Sequence, residues 1–74
     1  MDYHELISLC IMVSDTLCIK AGIMIGNGEP VRDAVTCARC FAQTKVRGNL
    51  SKNDLELING ILDSAERFII SLEG

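Results

Sequence analysis

Aromatic residues are scarce in this chain: Tyr3, Phe41 and Phe68 are the only three, and tryptophan is absent. Its core must therefore be aliphatic, without large rings as anchors. Histidine occurs once, as His4 near the start, and no nucleophile is placed to work with it, so the parts for acid–base or covalent catalysis are missing. Proline also occurs once, at position 30, leaving long stretches free of helix breakers. No stretch alternates polar and apolar residues for long enough to read as a strand. Basic charge is lacking at the N-terminus, where Met1-Asp2-Tyr3-His4-Glu5 is acidic and no small-residue cleavage site follows. That argues against a secretory leader and for a cytoplasmic protein whose four cysteines stay reduced. The glycosylation sequon at Asn49 is then without consequence.

What is present is an apolar chain of 74 residues, 49% hydrophobic and 23% charged, with a net charge of −3. Disorder is excluded by that apolar content, and the length fits a single helical domain over residues 1–74. A domain of this size is marginal alone. Burying about 60% of its unfolded surface contributes about 110 kcal/mol, and ordering its residues costs about the same. Oligomerisation, metal or disulfides are the usual remedies.

Pro30 and the glycines divide the chain into three helices, expected at about 3–25, 30–46 and 52–72. Asp2 with Glu5 forms an acidic capping box for the first, and Gly26-Asn27-Gly28 ends it. Pro30 suits the first turn of the second, and Gly48 is expected as its left-handed C-cap. Ser51 and Asp54 open the third. The expected fold is an all-α three-helix bundle, oligomeric through helix 1.

That last expectation comes from helix 1, which is apolar on nearly every side. Such a helix must be covered all round, by its own chain, by other chains or by lipid. One stripe, Tyr3, Leu6, Cys10, Val13, Leu17 and Met24, can be covered by helices 2 and 3. The other, Ile7, Ile11, Cys18 and Ile25 with Ala21, is the expected interface with a second copy or another protein. The length suits a membrane span, but Asp15 and Lys20 inside it are costly in lipid. Gly22 and Gly26 read as a loosened helix end, or as a place where a second chain approaches closely. In helix 3, Leu55, Ile58, Leu62, Ala65, Ile69 and Leu72 form a heptad seam, flanked by Leu57, Ile61 and Phe68. Helix 2 offers a narrower stripe of Val31, Ala34, Val35, Ala38, Phe41 and Ala42.

Helix 2 and the residues just after it are the basic part of an acidic protein, with Arg32, Arg39, Lys45 and Arg47 as candidate binders of an acidic protein surface or a small, nucleotide-like anion. Duplex DNA is argued against by a sequence pI near 4.9. Cys37 and Cys40 have the spacing of half a zinc site, but Cys10, Cys18 and His4 do not form a second short-spaced pair. A thioredoxin-like role needs the pair at a helix N-terminus after a strand, which is not its setting. Four cysteines serving as small buried hydrophobes is the simpler reading.

Together these features describe a non-enzymatic, protein-binding regulator or adaptor of inhibitor or chaperone type, acting as a homo-oligomer without a cofactor. The alternatives are an oligomer that sequesters a small anion through helix 2, and a zinc-stabilised domain using Cys37 and Cys40. In size and style the chain resembles the compact helical proteins that bacteria and their phages encode for regulation, secretion assistance or anti-defence, a resemblance of class carried by no aligned motif.

Overall fold

The computed structural model describes residues 2–46 and 48–73. Three helices, α1 (Tyr3–Gly26), α2 (Val31–Gln43) and α3 (Lys52–Glu73), make up the fold, and no strand occurs among the described residues. The chain runs up, down and up. Cys10 and Ile11 of α1 lie beside Ile61 of α3, and Cys18 and Gly22 lie beside Phe68 and Leu72, so α1 and α3 are parallel.

Local chemistry fixes most helix ends. The Asp2 carboxylate accepts a hydrogen bond from the Glu5 amide at 2.8 Å, and the Ser51 hydroxyl accepts one from the Asp54 amide at 3.1 Å, so each satisfies an orphan donor of a first turn. After Gly26 the chain closes a Schellman motif: the Glu29 amide donates to the Met24 carbonyl and the Gly28 amide to the Ile25 carbonyl, both at 3.0 Å. Gly28, at φ 96°, supplies the positive φ this turn requires.

The end of α2 departs from expectation. Pro30 is the N-cap rather than a helical residue, and the helix stops at Gln43, short of the expected 46. The Thr44 hydroxyl donates to the Phe41 carbonyl at 2.6 Å, and the amides of Lys45 and Val46 bond three residues back. The α-helix thus tightens out in 3₁₀-type turns. Gly48 does adopt a positive φ, 99°, but in the loop beyond rather than as the cap of α2.

The core is aliphatic. Val13, Leu17 and Ala21 of α1, Ala34, Ala38 and Ala42 of α2, and Leu62 of α3 have no exposed surface. The alanines recur every fourth residue, placing a smooth ridge against α1 and letting the two helices approach closely. Leu9 and Ala21 are buried, whereas Tyr3, expected on the inner stripe, is exposed. Tyr3 sits in the first turn, and α2 is too short to reach that end of α1. Leu55, at the α3 end level with Tyr3, is exposed as well, and so is Leu72 at the other end, where it borders the cavity shared with Cys18, Gly22 and Ile25, while Ile58, Leu62 and Ala65 in the middle of the seam are buried.

Candidate interaction surface

Only five of the 24 residues of α1 are buried, so the greater part of its apolar surface faces outward. Ser8, Asp15 and Gly22, seven residues apart, form a thin polar line that divides this surface into two flanks.

The first flank holds the expected interface. Ile7 is 40% and Ile11 58% exposed, Cys18 is exposed and Ile25 is half-buried. Beside them, on parallel α3, Phe68 is 61% and Leu72 70% exposed. Cys18, Gly22, Ile25, Phe68, Ile69 and Leu72 line a cavity of about 280 Å³ between the two helices. Both helices therefore present heptad-spaced apolar stripes side by side, the arrangement that another pair of helices can complete. Gly22 is open, with nothing within 4 Å of where a Cβ would stand. Packing within one chain does not require a glycine here.

The second flank was not singled out in the sequence. Met12, Thr16, Ile19 and Ile23 recur at heptad spacing, and Phe41 of α2 lies beside them. Ile19, Ile23 and Phe41 are all exposed. Thr16, Ile19, Lys20, Ile23, Phe41 and Lys45 line a shallow cavity of about 380 Å³. The ammonium groups of Lys20 and Lys45 lie 5.2 and 4.8 Å from the centre of the Phe41 ring, within reach of its electron-rich face. The available signal was the 12, 16, 19, 23 spacing, hidden by the neighbouring stripe in a helix apolar almost all round.

The four expected anion binders do not converge. Arg32 is exposed near the start of α2, and Lys45 stands over Phe41 at the other end. Arg39 is hydrogen-bonded to Asp63 and lies 3.6 Å from Glu66, so its guanidinium is committed to carboxylates of α3. That contact lowers the Asp63 pKa through the hydrogen bond and charge of Arg39, and raises that of Arg39 chiefly through the same bond. Arg47 lies outside the described residues. Cys37 and Cys40 are exposed on α2, correcting the reading of all four cysteines as buried hydrophobes, which holds for Cys10 alone. Among the described residues no cluster of three or more potential metal ligands exists. Burial, and secondarily the charge of Asp54, push the Cys10 thiol above its ordinary pKa.

By length and composition α1 could cross a membrane, with a mean hydropathy of 1.8 over its most apolar window. In this fold Val13, Leu17 and Ala21 on that helix are wholly covered by protein. The chain matches no protein-family model, no curated protein and no solved structure.

Proposed function

We propose that this chain is a non-catalytic protein-binding regulator or adaptor that works as a homo-oligomer, with the α1–α3 face as the contact between copies. The observation that carries this reading is the exposed apolar surface that α1 and α3 present side by side, Ile7 and Ile11 on one helix and Phe68 and Leu72 on the other, with Ser14 and Asp15 between its two ends. At about 150–200 Å² per large apolar residue, the exposed fractions of these four leave roughly 400 Å² of apolar area in water. A dimer interface burying about 800 Å² on each subunit contains roughly 450–500 Å² of apolar area. The strip, extended by Cys18, Gly22 and Ile25, is of that size.

Protein is favoured over lipid as the cover because Asp15 and Lys20 interrupt α1 and its inner stripe is already engaged by α2 and α3. The four free thiols, three of them exposed, suit a reducing cytoplasm.

Light scattering on purified protein tests the assignment. The wild type is expected at a multiple of 8.1 kDa, and Ile11→Glu and Phe68→Glu are each expected to lower the mass while leaving the helical circular dichroism intact, since both side chains are exposed. A monomeric wild type, or variants of unchanged mass, would refute it.

A further inference from the structure

We infer that the second flank, the groove between α1 and α2, is a docking site for an acidic amphipathic helix of a different protein. This inference rests on the protein-binding reading above and names the partner's chemistry. The groove floor is apolar: Ile19 is 64%, Ile23 58% and Phe41 41% exposed. With Met12 at its lower end it offers three to four turns of heptad-spaced side chains, the length over which a helix is gripped at i, i+3, i+4 and i+7.

Charge complementarity selects the occupant. Lys20 and Lys45, from two different helices, converge on the Phe41 ring at the α2 side of the groove, and neither ammonium is within salt-bridge distance of a described carboxylate. Two unneutralised cations beside an apolar floor, in a chain of net charge −3, favour a helix with glutamates or aspartates along one edge of its apolar stripe. A second copy of this chain is a poor occupant. Its acidic helix is α3, whose outer apolar stripe belongs to the α1–α3 face.

The probes are two stapled, monomeric peptides of about 18 residues, long enough to hold several helical turns, with identical leucine stripes flanked by glutamate in one and lysine in the other. Their binding is followed by fluorescence anisotropy and located by amide chemical shifts on labelled full-length protein. The glutamate peptide is expected to bind on the order of tenfold more tightly, to shift Ile19, Ile23 and Phe41, and to weaken with added salt. Lys20→Glu combined with Lys45→Glu is expected to reverse the preference, whereas Ile11→Glu, on the other flank, is expected to leave it unchanged.

Equal affinity for the two peptides, no binding of either, or shifts confined to the α1–α3 face would overturn the inference. So would a fall in particle mass in Ile19→Glu, which would assign the groove to a second copy. Particle mass in Ile11→Glu judges the oligomer separately, so either assignment can fail while the other stands.

Discussion

Cysteine and arginine positions carry the clearest consequences at the scale of single residues. Cys10 is buried and its thiol is shifted upward, whereas Cys37 and Cys40 lie on the open side of α2. Because the thiolate is the reactive species, iodoacetamide at neutral pH should modify Cys37 and Cys40 first and Cys10 last, with Cys10 becoming reactive only under denaturant or at alkaline pH. Peptide mass mapping of a labelling time course checks the order, and early labelling of Cys10 would contradict its burial. Arg39 makes a second case. Since Asp63 has a lowered pKa in the fold, its contribution is present above the ordinary carboxylate value and is lost as pH falls through the lowered one. Asp63→Asn should therefore melt slightly below wild type at pH 7, with the two curves converging as pH falls through the lowered Asp63 pKa. Asp63 remains half exposed, so the difference stays small; a constant gap across that range would remove the ion pair as its cause.

At the scale of helices, α2 works through what it lacks. Ala34, Ala38 and Ala42 leave room for Val13, Leu17 and Ala21, and no side chain on that ridge is exposed. Ala38→Leu inserts three carbons where no space exists and should cost about 1–3 kcal/mol or more, seen as a lower urea midpoint. Leu17→Ala, on the opposite side of the same contact, should cost about 2–5 kcal/mol by leaving a cavity. If Ala38→Leu were neutral, the close approach of α1 and α2 would be wrong. The start of α1, the start of α3 and the turn after α1 could be read in the sequence because Asp2, Ser51 and Gly28 each act on neighbours within a few residues. The end of α2 could not, since it depends on the choice of the Thr44 hydroxyl between solvent and the Phe41 carbonyl. Nor could the exposure of Tyr3 and Leu55: heptad spacing reports that a face exists, while the lengths of the neighbouring helices decide how far it is covered. Periodicity likewise found the Ile7, Ile11, Cys18 and Ile25 flank, but the groove beside Phe41 appeared only when α2 was placed against α1.

For the molecule as a whole, shape and surface point to incompleteness. The radius of gyration is 12.6 Å, against about 11.3 Å for a compact domain of this length. Accessible area is 4856 Å², where area scaling gives about 4,500 Å². The long axis of 39 Å is close to the length of α1 itself, at about 1.5 Å per residue, so the fold is one apolar helix incompletely wrapped by two others. If a second copy covers the α1–α3 face, folding and association are linked and the thermal midpoint must depend on protein concentration. Each tenfold rise should add about 0.7 kcal/mol per chain, or roughly 3–6 °C for a domain of this size. Calorimetry over a wide concentration range should show that climb for the wild type and for Ile19→Glu, whose side chain lies on the other flank. Phe68→Glu should melt lower and at a concentration-independent midpoint. A wild-type midpoint that does not move with concentration would mean that three helices suffice, and the exposed strip from Ile7 to Leu72 would then have to be explained by a partner other than this chain.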